Sequence, residues 1–206
     1  MKKIISIDIN EVLRDYINQF IKMYKKVVDP DCETEYDGVT YRDFFNIFPF
    51  ETHGMPDKKA YFDFLYDDAS FELYGRAEVM ERQLGPRFSK WVENDMRNFD
   101  PENTPEIRLV SPFEMHLSIP STLSFLARIG SKVRDVRFPI VSATIWDEAD
   151  IVITADPRLL ASKPEGKIAI KINAPYNKDA EADYSFDKFS ELMDSDVIDK
   201  LIENKD

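Results

Sequence analysis

The chain has 206 residues, of which 43% are hydrophobic and 13% aromatic, enough apolar material for one domain with a large insertion and too much for wholesale disorder. A net charge of −12 excludes a surface built to grip phosphate backbones, so no direct nucleic-acid binding is expected. The single cysteine, Cys32, excludes an internal disulfide and suits a reducing, cytoplasmic compartment; no apolar stretch approaches the roughly 20 residues that span a bilayer, so no membrane partner is expected.

The first predicted element is a strand in "IISIDIN" (4–10), with Ile4, Ile5, Ile7 and Ile9 apolar and Asp8 and Asn10 at its tip. The basic start does not make this a leader, because Ser6 and Asp8 break the apolar stretch and no small-residue cleavage site follows. An amphipathic helix comes next: Val12, Leu13, Tyr16, Ile17, Phe20, Ile21, Tyr24 and Val27 recur at three- and four-residue spacing until Asp29-Pro30-Asp31. Residues 29–106 read differently. They hold dense aromatics (Phe44, Phe45, Phe48, Phe50, Tyr61, Phe62, Phe64, Tyr66) and predict short helices near 57–68 and 75–97, with Gly85-Pro86 interrupting the second. "FDPENTPE" (99–106) is a polar return. The segment reads as an inserted helical cap, whose rings either fill its own core or leave an apolar patch for a partner.

From 107 the pattern changes to strand and helix in alternation. "IRLVS" is a strand ending at Ser111; "IPSTLSFLARIG" is a helix started by Pro120 and closed by Gly130; "KVRDVRFPIVS" holds one or two short strands. "DIVITADP" and "KIAIKIN" are further strands, and 185–204 form a C-terminal helix with Ser185 as its N-cap. The order predicts an α/β fold: a mostly parallel sheet with helices on both faces, the core at 1–28 and 107–206 and the cap at 29–106. Ligands of such sheets bind outside the carboxyl ends of the strands, where Asp8, Ser111 and Thr154 fall.

"DINEVLRD" (8–15) resembles the first motif of the haloacid dehalogenase (HAD) superfamily, in the flavour of its 5'(3')-deoxyribonucleotidase branch, where the run is roughly D-x-D-G-V-L-x-D. "LVSP" (109–112) resembles the second motif, "DIVITADP" a strand that ends there in D-D-R-P, and "KIAIKINAPYN" the last strand and its Asn-containing turn. The likeness covers residues 1–28 and about 107–195. It implies a Rossmannoid HAD-like sheet with an inserted cap. It also implies Asp8 as a nucleophile that forms an aspartyl-phosphate, Ser111 as a phosphate-holding hydroxyl, and Mg²⁺ on Asp8 and Asp156 if the chain is active.

The motifs depart from the pattern at four places. Asn10 stands where the acid/base Asp belongs, and an amide cannot give and retake a proton as a carboxyl does. Glu11 replaces the glycine that admits phosphate; Ser121 falls where the lysine aligns; Thr154 and Ala155 occupy the metal-acid positions, with Asp156 one step beyond. Each group also has a plain structural role to play: Asp8 or Asn10 as a helix cap, Glu11 as a complement to the helix N-terminus, Ser111 as a turn before Pro112. Asp147, Glu148, Asp150 and Asp156 make an acidic run that is either a solvated loop or a displaced metal site, while His53 and His116 have no ligating neighbours in sequence. Lys132, Arg134 and Lys163 are the cations with a route to Asp8.

The expectation is a catalytically degenerate HAD-like protein that needs no cofactor and acts as a binding or structural component of a homo- or hetero-oligomeric assembly with protein partners. Its Lys-, Asp-, Asn-, Phe- and Tyr-rich, Gly-poor composition suits an AT-rich bacterium or its phage, hence a cytoplasmic or virion setting. The alternatives are an Mg²⁺-dependent, nucleotidase-like phosphohydrolase using Asp8, and a nucleotide or phosphate sensor without turnover.

Overall fold

The computed structural model describes residues 2–33, 58–95 and 104–203. Phe44, Phe45, Phe48, Phe50 and His53 lie outside them. Six strands form one sheet: β1 (Ile4–Asp8), β2 (Glu106–Val110), β3 (Asp135–Arg137), β4 (Ile151–Thr154), β5 (Ile168–Ile172) and β6 (Tyr184–Phe186). Their order is β3-β2-β1-β4-β5-β6, and every pairing is parallel. The chain starts at the centre and builds outward in both directions. The switch point therefore lies at β1, and its crevice opens where β1, β2 and β4 end.

Side-chain alternation sorts the strands into two faces. Ile5, Ile7, Leu109, Ile151, Ile153, Ile170 and Ile172 line one face, packed against Phe88, Trp91, Phe125, Phe189, Leu192 and Ile198. Val110, Val152 and Ala169 line the other, under Ile145, Trp146, Leu159 and Leu160. Both faces are covered, as a parallel sheet requires. A third cluster joins helix α1 (Tyr16–Val27), through Tyr16, Phe20 and Tyr24, to Phe64, Tyr66, Leu73 and Tyr74.

Several elements differ from the sequence expectation. Helix α1 begins at Tyr16, not beside Asn10; Val12 and Leu13 sit in the preceding loop and pack into the sheet core instead. Helix α2 (Lys58–Asp63) continues into two π-helical turns, Phe64–Asp68 and Phe71–Gly75. The expected helix at 75–97 is absent over 76–83, where Val79 bridges Arg14 and the Met80 N–H donates to the Leu13 carbonyl at 3.0 Å. Gly85-Pro86 opens helix α3 (Leu84–Lys90) rather than interrupting one, since proline is tolerated in a first turn. Helix α4 (Ser118–Arg128) starts two residues before Pro120, and Gly130 follows it at φ +73°. Helices α5 (Ile145–Glu148) and α6 (Pro157–Ala161) flank β4. Ser185 lies inside β6, opposite Lys171, and the C-terminal segment is two helices, α7 (Phe189–Asp194) and α8 (Val197–Glu203), parted at Ser195-Asp196.

Candidate functional site

Asp8 ends β1 at the crevice and is buried. One carboxylate oxygen accepts from the Thr154 hydroxyl at 2.9 Å, the other from the Asn10 backbone N–H at 3.2 Å. The register places Thr154 there, because Ile7 pairs with Ile153 and β4 runs one residue further. Burial, reinforced by the nearby Asp156 carboxylate, pushes the Asp8 pKa up from an ordinary 3.8 to about 7. Burial also raises that of Asp156.

Beyond Asp8 the chain makes a tight turn instead of a helix. Glu11 takes φ 59°, the left-handed region that a glycine would fill without strain, and its carboxylate accepts from the Ile17 backbone N–H at 2.7 Å in the first turn of α1. The expected interaction of Glu11 with the helix N-terminus is thus present as a hydrogen bond. The alternative cap, Asn10, is not used as one: its side-chain oxygen accepts from Arg14 Nε at 2.9 Å and Nη2 at 2.6 Å, and its amide donates to Ser111 Oγ at 3.3 Å.

Arg14 is the centre of this site. Its side chain is completely buried and pairs with Glu114 at 2.5 Å. The same guanidinium donates to Thr122 Oγ1 and to the Tyr74 carbonyl, and the Ser111 and Thr122 hydroxyls donate to the two Glu114 oxygens. Phe113, at φ 66°, turns the chain after Pro112 so that Glu114 points inward. Ser111 therefore spends its hydroxyl on Glu114, at the position where a phosphate would need it.

The other sequence candidates lie elsewhere. Ser121 donates back to the Leu117 carbonyl of its own helix at 2.7 Å. Lys132 and Arg134 line a groove with Glu106 before β3, and Lys163 pairs with Asp183 at 3.0 Å. None of the three reaches Asp8 among the described residues, and the cations near the site are Arg14 and Arg158. The acidic run is dispersed as well: Glu148 binds Arg108 at 2.7 Å, and Asp150 accepts from the Ile4 backbone N–H at 2.9 Å.

Above these groups lies a cleft of about 400 Å³ lined by Asp8, Asn10, Asp156 and Arg158 and by the rings of Tyr16, Tyr61, Phe62, Tyr66, Tyr74, Phe113 and Tyr176. Asp156 caps α6 by accepting from the Arg158 backbone N–H at 2.8 Å, and its second oxygen faces the Arg158 guanidinium at 3.4 Å. Arg158 stacks over Phe113 at 4.9 Å.

No protein-family model matches the sequence, and no curated protein matches it. Solved structures do. A dehalogenase crystallised as an intermediate complex aligns with a TM-score of 0.54 at 11% identity, over 92% of this chain and 95% of that one. A haloacid dehalogenase-like hydrolase from Burkholderia xenovorans LB400 aligns with a TM-score of 0.49 at 12% identity, over 96% and 98%. This chain has the α/β fold of the haloacid dehalogenases.

The motif resemblance implies Mg²⁺ if the chain is active, and the donors described here do not fit it. Asp156 is committed to its helix cap and to Arg158, the adjoining positions are Thr154 and Ala155, and among the described residues no group of three His, Cys, Asp or Glu is placed to hold a metal ion.

Proposed function

We propose that this chain is a ligand-binding protein built on a hydrolase fold and that it does not turn over phosphomonoesters. One observation carries the proposal: the buried Arg14–Glu114 pair, which absorbs the side chains of Asn10, Ser111 and Thr122. A phosphate seeking that hydroxyl and that guanidinium must displace a carboxylate already paired in a dry environment. Breaking a buried pair from one side costs about 3–5 kcal/mol. The amide of Asn10 adds a second obstacle, since loss of a general acid alone slows such reactions roughly 10²–10⁴-fold.

A second reading, an Mg²⁺-dependent phosphohydrolase with Asp8 as nucleophile, is favoured by the way Thr154 and the Asn10 N–H hold both Asp8 oxygens at the floor of the cleft. One assay separates the two. Deoxynucleoside monophosphates are incubated with the protein and Mg²⁺, and free phosphate is followed. The expected result is no release above that of Asp8→Asn. Release that disappears in Asp8→Asn establishes the hydrolase instead.

A further inference from the structure

Three lysines follow one another around β5, and they are not treated alike. Lys163 pairs with Asp183 at 3.0 Å and Lys167 with Asp150 at 3.1 Å, both in partly exposed settings. Lys171 is the most deeply placed of the three. Strand alternation puts it on the same face as buried Ala169, in register with Thr154 and Ser185, and it is only 8% exposed. Its ammonium donates to the Ala180 carbonyl at 2.8 Å and reaches the Asn177 carbonyl only at 3.5 Å, the outer limit of a hydrogen bond. An ammonium has three protons to give, and a lysine buried this far is normally paired with an anion. Among the described residues Lys171 forms no ion pair.

Lys171 borders an open groove and not a closed core. The groove holds about 460 Å³ and is lined by Lys171, Asn173, Ala174, Pro175, Asn177 and Lys178. Its two amides are already spent. Asn177 donates to the Ala155 and Ile172 carbonyls at 3.0 and 2.9 Å and accepts from the Ala174 N–H at 2.9 Å. Asn173 accepts from the Ser185 hydroxyl and donates to Asp187, each at 2.7 Å. What the groove still offers is positive charge: the unspent proton of Lys171, and exposed Lys178, whose side chain has no hydrogen bond or ion pair among the described residues. No carboxylate among those residues lines it, in a chain whose net charge is −12.

We propose that this groove is an anion site that takes a small tetrahedral oxyanion, a sulfate or phosphate group, against the Lys171 and Lys178 ammoniums. Two point charges answer a dianion, and lysine is a regular partner of phosphate oxygens. The groove and the cleft above Asp8 share no lining residue, so the assignment stands whatever the chemistry of Asp8.

The test follows backbone amide shifts by NMR while sulfate, methyl phosphate or acetate is titrated into the intact protein, with chloride holding the ionic strength constant. Sulfate or methyl phosphate is expected to give saturable shifts centred on residues 171–178, half-complete at or below about 10 mM, with acetate at least about fivefold weaker. Tighter binding of methyl phosphate names an organic phosphate as the source, and equal or tighter binding of sulfate names the free ion; both uphold the site. Lys171→Met keeps the apolar stem, removes the charge and should abolish these shifts. Lys178→Gln lies on the surface and should weaken binding at least about threefold, which keeps the test decisive should Lys171→Met fail to fold. Shifts that never saturate, that centre elsewhere, or that survive Lys178→Gln undiminished overturn the inference, as does acetate binding as tightly as sulfate.

Discussion

Glu11 carries two opposed contributions at one residue. Its φ of 59° is a conformation that costs a side-chain-bearing residue about 1–2 kcal/mol, and its carboxylate returns a comparable amount by accepting from the Ile17 N–H. Glycine at this position relieves the strain and loses the cap, so Glu11→Gly should change stability by less than about 1 kcal/mol. Alanine keeps the strain and loses the cap. Glu11→Ala should therefore be less stable than Glu11→Gly by roughly 1 kcal/mol, a reversal of the usual order of these residues. Urea denaturation of the two variants measures it, and Ala at or above Gly would mean the turn is not held in this conformation. The same residue explains how the turn survives without a glycine: the carboxylate faces helix α1, where it adds a bond.

At the scale of elements, the sheet is legible in the sequence and the helical turns at 58–95 are not. Strands such as "IVIT" and "IAIKI" are short, mostly apolar runs bounded by turn residues, and a buried parallel strand has little other way to be written. Asp8, Ser111 and Thr154 can be placed together because parallel register forces strand ends to one edge. Arg14 cannot. It falls on the polar side of an apparently continuous helical stripe, and only the later start of α1 turns it inward. Glu114 is hidden for a related reason, since it reaches Arg14 through a turn at Phe113 whose positive φ no spacing rule signals. Gly85 misleads in the opposite sense. A Cβ at Gly85 would stand 2.6 Å from the Ile129 carbonyl oxygen, so the glycine permits α3 to lie close against the end of α4. Alanine gains about 1 kcal/mol of helix propensity there and meets an overpacking cost of roughly 1–3 kcal/mol against backbone that cannot swing aside. Gly85→Ala should lower the melting temperature, whereas an increase would show that the α3–α4 contact is loose.

For the whole molecule, the carboxyl at the centre of the sheet links stability to pH. The folded protein holds the Asp8 proton with a pKa of about 7, against 3.8 for the ordinary group. Between those values the folded chain binds more protons than the unfolded one, so this group's contribution falls as pH rises. It is fully present below 3.8 and lost as pH climbs through 7. Asn keeps the shape of Asp8 and cannot ionise, so Asp8→Asn removes this dependence and leaves those of groups remote from it in place. The stability of the variant relative to the parent should therefore increase from pH 5 to pH 8, levelling above neutrality, by at most about 3 kcal/mol. Thermal melts of both proteins across that range isolate the effect, because titrating groups that do not interact with Asp8 cancel in the difference. A difference that stays flat would mean Asp8 ionises at its ordinary pH, with its charge met by a partner that the Thr154 hydroxyl and the Asn10 N–H cannot supply. A difference that rises would fix Asp8 as a carboxyl kept neutral by its surroundings, which is a poor starting state for a nucleophile.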